Sequence, residues 1–263
     1  MSRLQQLFAR KPKNILNVYF TAGYPALHDT GKVIRALDNA GVDLIEVGMP
    51  YSDPLADGPT IQESGQQAIQ NGMTLPLLFE QIAEARQHTD IPLVLMGYFN
   101  PVMQYGEQRF FNRCAEVGID GLILPDLPIY EYENFYREGI EKAGLDISFL
   151  ITPQTSDERI RQIDALSTGF VYMVSNSAIT GAKSGISEEQ IAYFERIRSM
   201  ELESPRLIGF GISSHETFQT ACQYANGAII GSAYIRALGK GQPVDEATHQ
   251  FVQQILKTPI PQD

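Results

Sequence analysis

Residues 43–59 read DLIEVGMPYSDPLADGP, an apolar strand that runs directly into a loop rich in proline and acidic residues. Side chains alternate between the two faces of a strand, so Glu46 shares a face with Leu44 and Gly48. Because burial disfavours a charged carboxylate, a glutamate inside such a strand requires a partner, a water-filled pocket or a raised pKa. A raised pKa is typical of a carboxyl group that transfers protons near neutral pH. The alternative is a structural glutamate that precedes a surface turn.

Short apolar, β-branched runs recur along the chain, and each is followed by a helical pattern. The eight predicted strands cover residues 15–20, 43–48, 93–98, 121–124, 146–151, 169–174, 206–210 and 227–231. Eight strand-then-helix units without a Pro/Gly/Ser-rich linker predict one parallel (β/α)8 barrel, a TIM barrel, over residues 1–263 as a single domain. A doubly wound open sheet is the alternative, although no glycine-rich dinucleotide turn follows the first strand.

Capping residues and hydrophobic periodicity predict the helices of this barrel. Leu4, Leu7 and Phe8 are spaced as in a short amphipathic N-terminal helix that docks on the barrel. An extra loop helix is expected at 62–71, and further helices at 75–88, 130–143 and 244–256. Predicted helix starts lie at Asp29, whose helix would stop at Gly41, at Ser156 or Asp157, and at Ser213 or Ser214.

Composition excludes several classes of protein. The chain has 263 residues, 43% of them hydrophobic, and a formal net charge of −11. No apolar run is long enough for a membrane span, and the acidic charge argues against a nucleic-acid binder. The N-terminus lacks the apolar core of a secretory signal, which predicts a cytoplasmic protein. Cys114 and Cys222 lie in predicted helices without metal-ligand spacing and are expected to be reduced thiols.

Polar residues and glycines gather at the predicted strand ends, where barrels of this type place function. Gly211 follows the seventh strand, and Gly231 and Ser232 follow the eighth, at the start of a short helix. Backbone amides in such turns favour an anion, so a phosphate ester is the expected ligand. Segment 176–187 has the small, polar composition of a mobile lid, with a plain flexible loop as the alternative. No histidine lies on the predicted rim, so acid and base chemistry would rest on carboxylates, without a metal.

Segment 43–62, with SDPLADGP at residues 52–59, resembles the signature of the tryptophan synthase alpha chain family. Segments 19–25, 98–106, 125–128, 209–214 and 231–233 resemble that family in the same order. The resemblance implies a (β/α)8 barrel that cleaves indole-3-glycerol phosphate to indole and glyceraldehyde 3-phosphate. It also implies a beta-chain partner, in a tetramer of two alpha and two beta chains. The beta chain would hold pyridoxal phosphate and join indole to serine, and this chain itself would hold no cofactor.

The resemblance also implies a role for each site residue. Glu46 would be the acid/base that moves protons at indole C3 and at the glycerol hydroxyl. Asp57 would accept a hydrogen bond from the indole N–H and so stabilise the positive charge of the indolenine tautomer. Tyr172 would lie near Glu46, and Thr180 would meet Asp57 when the lid closes.

The resemblance further implies the binding contacts of the substrate and of the partner chain. Asp53 and segment 98–106 would face the beta chain. The phosphate would bind at Gly181, Gly211, Gly231 and Ser232, and the indole walls would be Tyr19, Leu124 and Phe210.

The chain departs from the family pattern at a few positions. Met49 and Tyr51 replace smaller apolar residues and Phe, and Asn176 and Ala178 stand where Arg and Gly are common. Two other functions are alternatives. One is a binding module that only activates a beta chain, which the two intact carboxylates argue against. The other is a phosphate-binding barrel with another substrate, such as the synthase that makes indole-3-glycerol phosphate. That chemistry usually needs a lysine, and the first strand has none at its end.

Overall fold

A single closed parallel sheet forms the centre of the computed structural model, which describes residues 1–55, 57–175, 186–209 and 211–257. The strands are β1 (Ile15–Thr21), β2 (Leu44–Gly48), β3 (Leu93–Met96), β4 (Gly121–Ile123), β5 (Asp146–Ile147), β6 (Leu150–Ile151), β7 (Val171–Val174), β8 (Arg206–Gly209) and β9 (Gly227–Ile230). They pair in the order β5-β4-β3-β2-β1-β9-β8-β7-β6.

The two end strands of this order, β5 and β6, are two halves of one barrel strand. Only Ser148 and Phe149 separate them in the chain. The Ser148 amide donates to the Leu122 carbonyl at 3.0 Å, and the Tyr172 amide donates to the Phe149 carbonyl at 2.9 Å. These bonds continue the sheet across the junction, so the prediction of a (β/α)8 barrel is confirmed, with its fifth strand in two pieces. A single domain over residues 1–263 stays a prediction.

Helices follow the strands around the outside of the barrel. Ser156 and Ser214 cap their helices, as predicted, by accepting hydrogen bonds from the Arg159 and Thr217 amides. The helices are α1 (Arg3–Arg10), α2 (Thr30–Asn39), α3 (Pro59–Gln70), α4 (Leu75–Ala85), α5 (Phe99–Tyr105), α6 (Glu107–Glu116), α7 (Ile129–Glu131), a π-helix (Tyr132–Tyr136), α8 (Arg137–Lys142), α9 (Asp157–Leu166), α10 (Glu188–Ser199), α11 (His215–Tyr224), α12 (Ser232–Leu238) and α13 (Val244–Leu256).

One local prediction about the helices was wrong, and one predicted helix contains an unpredicted π-helical turn. Asp29 precedes α2 but does not cap it, because its backbone is already helical (φ −90°, ψ −10°) and its carboxylate pairs with Lys32 Nζ at 2.8 Å. The helix predicted at 130–143 is present as α7, the π-helix and α8, which follow one another without a break, with the π-helical turn as the unpredicted detail. The wider turn lets Tyr132 pack in the core, with its ring centroid 5.1 Å from that of Phe149, while Phe135 stays 66% exposed. Core packing has overridden the helical period there.

The predicted N-terminal helix is α1, and it closes the N-terminal end of the barrel. Leu4, Leu7 and Phe8 are buried in one cluster with residues of the barrel interior, and the Phe8 ring centroid lies 6.1 Å from that of Phe170. Hydrogen bonds hold the helix in place, since Ser2 and Gln5 both donate to the buried Asp146 carboxylate. The docking predicted from the amphipathic pattern is therefore confirmed.

The alternation of β2 positions the functional side chain. Leu44 belongs to the cluster inside the barrel, whereas Ile45 and Val47 belong to the cluster between the sheet and the helices. Glu46 therefore lies on the interior side, as the period of two predicts. Within the described residues, no helix is long and apolar enough to cross a membrane.

Candidate active site

Glu46 is a fully buried carboxyl group in the barrel interior. Its side chain has 0% exposure, and its Oε1 accepts a hydrogen bond from Asn17 Nδ2 at 2.5 Å. Burial raises the pKa of Glu46 to about 8, against the lowering effect of the Asn17 hydrogen bond. The group can therefore hold a proton or release it near neutral pH, as an acid/base catalyst must.

Asp57 lies in the loop between β2 and α3 and lines a cleft above the strand ends. Burial raises its pKa, and a hydrogen bond from Tyr98 lowers it. Both carboxyl groups thus accept one hydrogen bond that favours the charged form, but Glu46 is fully buried whereas Asp57 is only partly buried. The two carboxyl groups occupy different environments, as two separate chemical roles require.

Two tyrosines interact electrostatically with Glu46, one on the neighbouring strand β1 and one on β7, which is not adjacent to β2 in the sheet. Tyr19 on β1 pairs with Glu46 in the strand register, and Tyr172 lies on β7. Burial raises the pKa of both phenols, and the negative charge of Glu46 adds to the effect, so both rings stay neutral. A Cβ at Gly48 would collide with the Tyr19 ring, and one at Gly209 with the Tyr172 ring. Glycine is thus required at both strand ends to admit the two tyrosines.

A cleft of about 190 Å³ opens above these side chains. Its floor is apolar and aromatic, and one side consists of the turns after β8 and β9. The N-terminal end of α12 borders the cleft, so free backbone amides and the helix dipole favour an anion there. The lining residues are Tyr19, Asp57, Ile61, Met96, Tyr172, Gly211, Ile212, Ser213, Ile229, Gly231, Ser232, Ala233 and Arg236.

Most of the predicted site residues meet in this one place. Six of them line the cleft, and Glu46 lies beneath its tyrosines. Leu124 does not line it but borders a separate surface cleft with Arg159. Thr180, Gly181 and Phe210 lie outside the described residues, as do Asn176 and Ala178 of the predicted lid. The six residues that line the cleft are Tyr19, Asp57, Tyr172, Gly211, Gly231 and Ser232.

Three contributors were missed from the sequence. Asn17 is the hydrogen-bond partner of Glu46, Tyr98 is that of Asp57, and Arg236 brings a positive charge to the cleft. Asn17 carried one signal, because a polar residue at an inward position of an apolar strand needs a partner. Arg236 lies one helical turn after the Gly231–Ser232 turn, where a cation would support an anion. Tyr98 gave no signal of this role.

Comparison with known proteins agrees with this geometry. The family model described as "Tryptophan synthase alpha chain" matches residues 4–259. The chain belongs to the tryptophan synthase alpha chain family. The resemblance predicted from segment 43–62 is thereby confirmed, and membership makes the chain a lyase of tryptophan biosynthesis.

Relatives within the tryptophan synthase alpha chain family are similar over nearly their whole length. The alpha chain of Flavobacterium psychrophilum is 56% identical over 238 residues, which cover 90% of this chain and 94% of the relative. That of Phocaeicola vulgatus is 52% identical over 257 residues, covering 98% and 100%. The relatives share the name "Tryptophan synthase alpha chain".

Solved tryptophan synthase structures share the barrel. A chain of the tryptophan synthase complex from Pyrococcus furiosus superposes with a TM-score of 0.85 at 34% identity, covering 94% of this chain and 99% of that one. A chain of the aminoacrylate-bound tryptophan synthase from M. tuberculosis gives 0.85 at 30% identity, covering 97% and 98%. The fold assignment therefore agrees with experimental structures of the family.

Proposed function

We propose that this chain cleaves indole-3-glycerol phosphate to indole and D-glyceraldehyde 3-phosphate, with Glu46 as acid/base and Asp57 as the partner of the indole ring. The observation that carries the proposal is the carboxyl group of Glu46. It is fully buried below an apolar cleft, with a pKa raised to about 8. A carboxyl group with this proton affinity can both give a proton to carbon and take one from a hydroxyl near pH 7.

The proposed reaction has two proton transfers and one bond cleavage. Glu46 gives its proton to indole C3, which forms the indolenine cation. Asp57 accepts the hydrogen bond of the indole N–H and stabilises that cation. The ionised Glu46 then takes the proton of the glycerol hydroxyl next to the ring. The C–C bond breaks, its electron pair restores the indole, and the hydroxyl carbon becomes the aldehyde.

The cleft supplies the two kinds of contact that this substrate needs. Apolar side chains such as Met96, Ile61 and Ile229, with the Tyr19 ring, form a surface for the flat indole. We place the phosphate at the opposite side, on the backbone around Gly211, Gly231 and Ser232. The Ser213 amide donates to Thr217 Oγ1 at 3.1 Å and is already engaged. Arg236 lines the same side and is the one Lys or Arg among the described residues that line the cleft, so it adds a positive charge there.

We propose that a beta chain covers the rim on which the loop after β2 and helix α5 lie. Leu55 is 90% exposed there, and Met103 on α5 is 53% exposed, which is the composition of a surface that binds a partner. Structures similar to this chain include those titled as tryptophan synthase complexes. In this proposal two alpha and two beta chains form the tetramer, and pyridoxal phosphate belongs to the beta chain. A cytoplasmic location and reduced Cys114 and Cys222 stay predictions.

The test is an assay of indole and glyceraldehyde 3-phosphate from indole-3-glycerol phosphate, with and without a beta chain. We expect slow cleavage by the chain alone and faster cleavage with the partner. Glu46→Gln and Asp57→Asn should each lower the rate at least about a hundredfold, since each removes a group that acts in the transition state. Glu63→Gln, the same change at an exposed position of α3, is the matched control and should leave the rate unchanged.

Each result has a clear meaning. A folded Glu46→Gln variant with full activity would contradict the acid/base assignment. Cleavage by neither the chain nor the mixture would contradict the proposed substrate. A chain that stimulates a beta chain without cleaving the phosphate ester itself would favour the binding-module alternative.

A further inference from the structure

Asn17 is the hydrogen-bond partner of Glu46 inside the barrel. It lies on β1, where it pairs with Leu44, two residues before Glu46 on β2. Both side chains are fully buried, and the distance from Asn17 Nδ2 to Glu46 Oε1 is 2.5 Å. Tyr19, two residues further along β1, lines the cleft, whereas Asn17 and Glu46 do not, so Asn17 lies deeper in the barrel than Tyr19.

The other polar atoms of the pair have no partner. Asn17 Oδ1 and Glu46 Oε2 are buried without a hydrogen bond to any described residue. A buried acceptor without a donor is costly, and folded proteins rarely leave one in place without a function. Each side chain of this pair therefore has one atom in use and one atom available.

We propose that Asn17 is a positioning residue that serves both protonation states of Glu46. Its Nδ2–H donates to the carboxylate, and its Oδ1, after the amide turns over, accepts from the carboxylic acid. The inference rests on the proposed function, in which Glu46 loses and regains a proton in every turnover. An amide suits this task because its donor and acceptor ends have almost the same shape and exchange places by rotation.

Other side chains at this position would favour only one state of Glu46. A lysine or arginine would hold the carboxylate charged, and an apolar residue would leave the buried charge without a donor. Asn17 offers a hydrogen bond to either form, so the proton can leave and return without the loss of a buried contact. The carboxyl group also keeps one orientation under the cleft throughout the cycle.

The titratable groups near Glu46 interact with it through their charges. Tyr19 on β1 and Tyr172 on β7 interact with its charge, and burial keeps both phenols neutral by raising their pKa. Asp57 in the loop after β2 carries a negative charge that acts on the same two tyrosines. Among the described residues, Asn17 is therefore the group whose removal should change the proton affinity of Glu46 most directly.

The test compares Asn17→Leu and Asn17→Asp with the wild-type chain. The Glu46 carboxyl is titrated by carbon-13 NMR without substrate, and its signal is assigned by its loss in Glu46→Gln. We expect Asn17→Leu to move this titration upward by about one pH unit, because the charge-assisted hydrogen bond that the carboxylate loses is stronger than the neutral one that the carboxylic acid loses. At pH 7, kcat should fall about tenfold with little change in KM, and the pH profile of kcat should move in the same direction.

The control and the second variant keep the test decisive. Ser148→Ala also removes a buried hydrogen bond inside the barrel, that from the Phe170 amide, and should lower Tm without moving the Glu46 titration. If Asn17→Leu does not fold, Asn17→Asp keeps the shape of the side chain. Its pair of carboxyl groups should titrate in two steps, the second one above the wild-type value.

An unmoved Glu46 titration in a folded Asn17 variant would overturn the inference. If cleavage still depends on Glu46 in that case, the proposed function survives and only the role of Asn17 falls. A titration that moves in a chain unable to cleave indole-3-glycerol phosphate would contradict the proposed function, while it would support the pairing of Asn17 with Glu46.

Discussion

At the scale of the single residue, Glu46 shows how a barrel interior produces a proton carrier. Full burial raises its pKa to about 8, and one hydrogen bond from Asn17 opposes that rise. Neither effect requires a metal or a second carboxylate in contact. The proton affinity follows from the depth of β2 in the barrel and from the polarity of one neighbour on β1.

The raised pKa of Glu46 predicts a pH-dependent stability. The unfolded chain loses this proton near pH 4.5 and the folded chain near pH 8, so between these values the folded state carries one proton more. The stabilisation of the folded state by this additional proton is complete below pH 4.5. It decreases by about 1.4 kcal/mol per pH unit between pH 4.5 and pH 8, and it is lost above pH 8. Glu46→Gln lacks this decrease, so its free energy of unfolding should increase relative to that of the wild type as the pH rises. Urea unfolding at pH 5 to 9 measures the difference, and parallel curves would contradict the raised pKa.

The inward orientation of Glu46 could be predicted from the sequence, but its partner could not. The alternation of Leu44, Ile45 and Glu46 places the carboxyl group on the interior face whatever the rest of the chain does. Its contact with Asn17 joins residues 29 positions apart and depends on the register of β1 against β2. Register comes from the packing of the whole barrel, which one strand does not encode.

At the scale of the element, the loop after β2 and the helix after β3 form one unit. The ring centroids of Tyr51 and Tyr98 lie 5.2 Å apart, and Asn100 Nδ2 donates to the Tyr51 hydroxyl at 3.3 Å. Tyr98 also hydrogen-bonds Asp57. Because Tyr98 directly precedes α5, a displacement of α5 would reach Asp57 through the Tyr98 hydrogen bond and would also move the tilted Tyr51–Tyr98 ring pair.

Tyr98→Phe should remove the hydrogen bond that stabilises the Asp57 carboxylate and keep the ring contact with Tyr51. The hydrogen bond lowers the pKa of Asp57, so its loss should raise that pKa further and make the carboxylate less available at low pH. We expect kcat/KM to fall up to about tenfold, with its acidic limb moved to higher pH. Tyr51→Phe keeps both rings and removes only the bond from Asn100, so it serves as the control. An unchanged pH profile in Tyr98→Phe would show that the phenol does not support Asp57.

Element boundaries show where sequence patterns stop being informative. Helix α13 lies at the residues predicted, because its apolar period is regular and its ends are marked. The π-helix and the division between β5 and β6 were not predicted. The two features meet in space, because Phe149 lies between β5 and β6 and its ring packs against Tyr132 of the π-helix. Such an adjustment between two distant segments leaves no periodic signal in either.

At the scale of the whole molecule, the two ends of the barrel differ in task. The N-terminal end is held by α1 and its bonds to Asp146, and the C-terminal end carries the cleft and the exposed Leu55 and Met103. In this fold the N-terminal end usually serves stability and the C-terminal end carries the active site. The partner, in our proposal, uses the same end as the substrate.

Asp53→Asn should separate partner activation from catalysis. Asp53 is exposed in the loop after β2 and does not line the cleft, so cleavage by the chain alone should stay unchanged. We expect its stimulation by a beta chain to weaken several-fold, because a charge at the rim of an interface steers and orients association. Asp90→Asn, an exposed carboxylate beside Arg3 at the opposite end, is the control. Equal stimulation of both variants by the beta chain would show that Asp53 does not contribute to the interface.

The closure of the barrel by α1 determines from which end a ligand can reach the cleft. With Leu4, Leu7 and Phe8 filling the N-terminal end, the described part of the chain leaves the cleft open on the C-terminal side. In the proposed function, substrate would enter and both products would leave on that side. A product that stays bound there would block the next substrate. A partner bound over this side would control the release of both products. In the proposed function, slow release of either product would limit turnover as slow bond cleavage would.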